Sequence, residues 1–193
     1  GAIRLGGQDI TQLPVAARVD MGLGRTFQVT SLLDASTVRE NIAMAVQARE
    51  GHNFRIWDAV RRRRNLWAEA DELLRGTGLQ DRAHIPVTDL AHGERKQLEL
   101  LVALARKPKL LLLDEPMAGL GHMESQQMIG MLREVGQRTP MLLVEHDMEA
   151  VFALAHRISV LVYGRIIASG TVEEIRTNPE VREAYLGAED ELC

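Results

Sequence analysis

Residues 109–120 read KLLLLDEPMAGL, in which four leucines run straight into Asp114, Glu115 and Pro116. An apolar run ended so abruptly reads as a strand buried on both faces, as in a parallel sheet with helices on each side. Two adjacent carboxylates then fall at the strand's C-terminal end, where open α/β sheets place their ligands. One suits a magnesium ion and the other can orient or deprotonate an attacking water. Such a pair needs a phosphate to act on.

The remaining chain is consistent with that setting. Its 193 residues suit one domain, or one domain with a small subdomain. A 46% hydrophobic and 26% charged composition is enough for a real core. The net charge of −4 argues against non-specific nucleic-acid binding. Cys193 is the one cysteine and the last residue, which leaves no internal disulfide and points to a cytosolic setting. No apolar run approaches the roughly 20 residues that span a bilayer, and no signal peptide is visible.

Along the chain, residues 2–13 read as a strand, a Gly6-Gly7 turn and a short connection. Residues 15–21 read as a short helix stopped by Gly22, and residues 23–29 (LGRTFQV) as a strand. Residues 37–50 open with a Thr37/Glu40 capping box and carry Val38, Ile42, Ala45 and Val46 at helical spacing. A second helix is predicted over about 55–77, and residues 90–104 form a loop running into a third. Strands at 110–113 and 141–144 then alternate with helices at 124–136 and 148–155. Residues 158–162 and 165–169 flank a Tyr163-Gly164 hairpin turn, and a last helix spans about 171–185. The alternation predicts a parallel sheet, and the helix-rich stretch of about 34–105 an inserted helical subdomain.

Three further stretches carry chemistry. MLLVEHD (141–147) reads as a second buried strand ending in Glu145, His146 and the helix-capping Asp147. A neutral histidine there can hydrogen-bond a phosphate oxygen or a water. In Leu90-Ala91-His92-Gly93-Glu94, the glycine lets backbone approach an anion at the N-terminus of the following helix. Gln28 can offer its side-chain oxygen to magnesium or water. Each alone also has an ordinary explanation: a turn-capping aspartate, a satisfied histidine, a plain helix start, a loop glutamine.

In this order and spacing the motifs together resemble the nucleotide-binding subunit of ABC transporters, over residues 1–186. RTFQ, LAHGE, DEPMAGL, VEHDM and EEIRTNPEVREAYLG are similar to the subfamily serving branched-chain amino-acid importers, with urea and amide importers close by. The resemblance implies an α/β, P-loop NTPase-like core with a parallel sheet and an inserted helical subdomain. It implies one partial nucleotide-binding domain over 1–193, with the subdomain at about 34–105. Gln28 matches the Q-loop and a magnesium contact. Leu90, Ala91, His92, Gly93 and Glu94 match the ATP-contacting signature. Asp114 matches the Walker B magnesium ligand, and Glu115 the general base. Residues 118–121 match the D-loop, and His146 the switch histidine on the γ-phosphate. ATP and Mg2+ are the implied cofactors. The implied partners are a second ATPase subunit, like or unlike, and integral membrane permease subunits at the inner face of the plasma membrane. Gln28 and Gly93 lie 65 positions apart, which fits a compact subdomain and excludes the coiled-coil insertion of DNA-repair relatives.

Some features depart from the pattern. The phosphate-cradling G-x-x-x-x-G-K-[ST] motif is absent, since Lys96, Lys107 and Lys109 are the three lysines and none follows a glycine. In the family that motif and an adenine-stacking aromatic lie upstream of the strand at 3–5. The sequence therefore reads as lacking the N-terminal strands and P-loop, with very poor ATP binding alone, an unpaired sheet edge and poor solubility. The alternative to an active subunit is an inactive fragment, or a regulatory partner lending its signature to an intact paralogue. Ala91 replaces a common serine, Gly121 an aspartate and Glu94 a glutamine, the last given little weight. Arg61 to Arg64 read as a solvated turn, and Trp57 and Trp67 as packing inside the subdomain.

Overall fold

The computed structural model describes residues 1–26, 32–50 and 64–186, so the segments holding Gln28, Trp57 and Arg61 to Arg63 lie outside the described residues. The chain forms two compact units, Gly1–Val144 and Glu145–Cys193.

The first unit opens with a hairpin of β1 (Arg4–Leu5) and β2 (Gln8–Asp9), turned by Gly6 and Gly7 at φ +56° and +82°. Helix α1 (Val15–Asp20) follows Pro14 and gives way at Gly22, φ +104°. The sheet is parallel, as predicted, with β3 (Leu23–Arg25), β4 (Leu110–Asp114) and β5 (Met141–Val144) in that spatial order. Register places Arg25 opposite Leu112 and Asp114 opposite Val144. Burial corrects one expectation. Leu111 and Leu113 are buried, but Leu110 and Leu112 only partly so, and Leu142 and Val144 of β5 are 58% and 55% exposed. Within this unit the strands are therefore one-sided. Leu113 lines one crevice with Leu100 of α4 (His92–Ala105) and with Met128 and Leu132 of α5 (His122–Gly136), and alternate residues of the strand point to the other face.

The helical cluster builds on α2 (Val38–Arg49), α3 (Arg64–Leu74) and α4. The Thr37/Glu40 capping box forms as read: the Glu40 amide donates to Thr37 Oγ1 at 3.2 Å, and the Thr37 amide to Glu40 Oε2 at 2.9 Å. Val38, Ile42 and Val46 meet Leu66, Ala70 and Leu74 across from Leu98 and Leu101, all buried. Each of these valine, isoleucine and leucine side chains contributes about 1.5–3 kcal/mol of apolar transfer free energy. Arg49 ties the three helices by donating to both Glu69 oxygens, at 2.8 and 2.7 Å, and to the Ala105 carbonyl at 2.7 Å.

In the second unit, Asp147 caps α6 (Met148–Leu154), accepting from the Ala150 amide at 3.1 Å. Strands β6 (Ile158–Val162) and β7 (Arg165–Gly170) pair antiparallel around Tyr163 and Gly164, at φ +44° and +76°. Two successive positive φ values are what a two-residue hairpin turn needs. The single helix expected over 171–185 is broken. Helix α7 (Val172–Thr177) stops, Asn178 recaps the chain, and a short α8 (Pro179–Val181) leads into a wide turn over Arg182–Leu186. Pro179 has no amide to continue α7 and pushes Asn178 out of helical backbone.

Candidate functional site

The site begins where β4 ends. Asp114 is the last strand residue, and Glu115 turns into left-handed backbone at φ +47° while its amide donates to the Val144 carbonyl at 2.9 Å. A non-glycine residue there is strained and persists only where its surroundings hold it. Two turn bonds follow, Ala118 amide to Glu115 carbonyl and Leu120 amide to Met117 carbonyl, both 3.1 Å, with Gly119 at φ +77°. Asp114 is not alone: Arg25, arriving on the neighbouring parallel strand, brings Nη2 to 3.3 Å from Asp114 Oδ2. Thr26, Lys96 and Glu99 line the crevice beside Asp114. Burial pushes the Glu99 carboxyl upward, against the opposing charges of Lys96 and His92, and its Oε1 is buried without a hydrogen-bond partner.

The second element is the start of α4. Its first amides, at His92, Gly93 and Glu94, have no carbonyl a turn earlier in the helix and lie at the positive end of the dipole. Glu94 reaches back to the Ala91 amide at 2.8 Å and pairs with Arg82 at 3.3 Å. Its carboxylate is therefore a structural cap. Arg82 also donates to the Asp89 carbonyl (3.0 Å) and Arg95 to those of Thr88 (3.2 Å) and Leu90 (3.4 Å), which fixes the entering loop.

The structure brings residues 91–94 against residues 118–121. His92 Nε2 lies 3.4 Å from the Ala118 carbonyl oxygen, and Glu124 of α5 both accepts from the Gly121 amide (2.9 Å) and lies directly on Gly93. His146 belongs to the second unit. Its amide donates to Glu145 Oε2 at 3.1 Å, and its ring is 70% exposed, with Nδ1 3.8 Å from the same buried carboxylate. Gln28 lies outside the described residues. Among the described residues no three His, Cys, Asp or Glu side chains close around a metal. Asp114 presents a single carboxylate at the strand end, and Mg2+ is commonly bound through one or two protein carboxylates.

Three contributors escaped sequence reasoning. Arg25 had a weak signal, its place just before Gln28. Glu99 had a better one, a lone carboxylate inside the apolar stretch LELLVAL. Glu124 had the best, since it stands three residues after Gly121 at a helix start.

The chain as a whole resembles known proteins. The family model described as ABC transporter matches residues 1–118, and one described as branched-chain amino acid ATP-binding cassette transporter matches residues 165–191. The chain is 35% identical to the high-affinity branched-chain amino acid transport ATP-binding protein LivG of Escherichia coli K12, over 97% of this chain and 76% of that one. It is 34% identical to BraF of Pseudomonas aeruginosa, with the same coverage. The solved ADP conformation of MJ1267, an ATP-binding cassette of an ABC transporter, superposes with a TM-score of 0.80 at 24% identity, covering 97% of this chain and 77% of that one. The fold is accordingly that of an ATP-binding cassette, and the chain belongs to the ABC transporter family as one of its ATP-binding proteins.

Proposed function

We propose that this chain is the ATP-hydrolysing subunit of an importer for branched-chain amino acids or related small solutes, coupled to permease subunits at the inner face of the membrane. The observation that carries the reading is Glu115. It follows Asp114 at the C-terminal end of a parallel strand and is held in left-handed backbone by its bond to the Val144 carbonyl. The names of LivG and BraF support the choice of solute.

In this reading Glu115 orients the attacking water and accepts its proton, while Asp114 holds Mg2+. Bound Mg2+ supplies charge neutralisation at the phosphates. His146 offers an exposed imidazole to the γ-phosphate, and Gln28 links the site to the permease. The amides of His92, Gly93 and Glu94 face the nucleotide of a second ATPase subunit, as a helix N-terminus receives an anion. Residues 1–193 then act within one nucleotide-binding domain, with the helical subdomain at about 34–105. No described helix is long and apolar enough to cross a membrane.

The test uses the protein as its gene encodes it. Glu115→Gln is expected to lower ATP turnover at least about 100-fold, the usual worth of a general base, with nucleotide affinity retained. Undiminished turnover would remove the role assigned to Glu115. Uptake of labelled leucine by cells carrying that allele tests the solute, and uptake equal to wild type would exclude it.

A further inference from the structure

Two segments far apart in sequence interlock here through glycines. In one direction, the His92 ring lies over Gly119: a Cβ built on that glycine would stand 3.0 Å from Nε2 and 3.5 Å from Cδ2. In the other, the Glu124 side chain lies over Gly93, where a Cβ would meet Oε1 and Cδ well inside contact distance. Each side chain occupies the space that the other segment's glycine leaves open. The polar contacts follow the same path. A carbonyl oxygen only accepts, so His92 must carry its proton on Nε2 to donate to Ala118 at 3.4 Å. The Ala118 amide in turn donates to the Glu115 carbonyl at 3.1 Å. One residue, Ala118, thus stands between the start of α4 and the strained backbone of Glu115.

We infer that His92 is a positioning residue, a latch that carries the placement of the α4 N-terminus through Ala118 to Glu115 of the same chain. This deepens the proposed function and rests on it for the role of Glu115. Contact of an anion with the start of α4 then bears directly on the turn that sets the Glu115 backbone. Glu124 is the counterpart that keeps Gly93 from sliding along that turn. The pairing is specific to the residues present: a Cβ at 119 would press on the imidazole, which would have to give by a few tenths of an ångström.

The first experiment is hydrogen exchange on the protein as its gene encodes it, without nucleotide. His92→Ala is expected to speed exchange of the Glu115, Ala118 and Leu120 amides about tenfold, as local opening of a turn does, with an unchanged thermal midpoint because His92 is exposed. His92→Gln, whose side-chain amide places an N–H at similar reach, is expected to restore the wild-type rates. Wild-type exchange in His92→Ala, or no recovery in His92→Gln, would overturn the latch.

The second experiment is steady-state ATP hydrolysis by the protein as its gene encodes it. His92→Ala is expected to lower kcat about tenfold while KM for ATP stays within about twofold, since the loss falls on positioning of Glu115. A change confined to KM would make His92 a nucleotide contact and overturn its positioning role. Faster exchange combined with a wild-type protein that hydrolyses no ATP would refute the proposed function while leaving the latch in place.

Discussion

Arg25 and Asp114 reach each other from adjacent parallel strands, with Nη2 3.3 Å from Oδ2, so the proposed metal ligand already has a cation beside it. The two side chains are 53% and 33% exposed, which makes the pair weak enough to be displaced. Arg25→Gln removes a positive charge from the neighbourhood of an incoming divalent ion. The half-saturating Mn2+ concentration of the nucleotide-loaded protein, read by electron paramagnetic resonance, is expected to fall about two- to fivefold, the range an exposed pair supports. A rise would mean that Arg25 orients Asp114 rather than competing for it.

Glu69 lies between Arg49 and Lys107, whose Nζ is 2.9 Å away. Hydrogen bonding from Arg49, reinforced by Lys107 and opposed by desolvation, lowers the Glu69 carboxyl from 4.5 to about 2. A carboxyl lowered in the folded state stabilises above its unfolded value, and that stability is lost as pH falls through the folded one. Urea unfolding should therefore show wild type losing about 1–2 kcal/mol between pH 5 and pH 2 that Glu69→Gln does not lose. Parallel pH profiles for the two proteins would refute this.

Glu99 runs the other way. Burial raises its carboxyl, so folding favours the protonated form and this group's contribution weakens as pH rises. With Oε1 buried and unbonded, Glu99→Gln at neutral pH is expected to stabilise the chain by about 1 kcal/mol, the low end for relieving such a group because the residue is only half-buried. The gain should vanish in acid. A loss of stability at pH 7 would indicate that the charge is used.

Thr37 anchors the first turn of α2 through its hydroxyl and also starts the segment whose Val38 amide donates to the Ile85 carbonyl at 3.1 Å. Thr37→Ala is expected to cost about 1 kcal/mol, and Thr37→Ser less than half of that, by chemical denaturation. Equal costs would shift the credit from the hydroxyl to the methyl group.

What the sequence could announce was whatever is local. The Thr37/Glu40 box, the Asp147 cap and the Tyr163-Gly164 turn each depend on a few consecutive residues, and each formed where read. The parallel sheet was legible because leucine runs and carboxylates recur at strand ends. Which face of Leu110 to Leu113 is covered was not, since that depends on Leu100, Met128 and Leu132 arriving from elsewhere. Pro179 was visible, and its missing amide breaks the single helix expected over 171–185. In the candidate site the motif residues could be named from their order. Their neighbours, Arg25 beside Asp114 and Glu124 on Gly93, could not, because parallel register and a glycine's empty space are set by tertiary packing.

The left-handed backbone of Glu115 has one more consequence. At φ +47° glycine or asparagine would rest more easily than glutamate, by about 1 kcal/mol. A library randomised at this position should therefore divide by the pressure applied to it. Selection for heat resistance alone would enrich the substitutions Glu115→Gly and Glu115→Asn, whereas selection for growth on the imported solute would return glutamate.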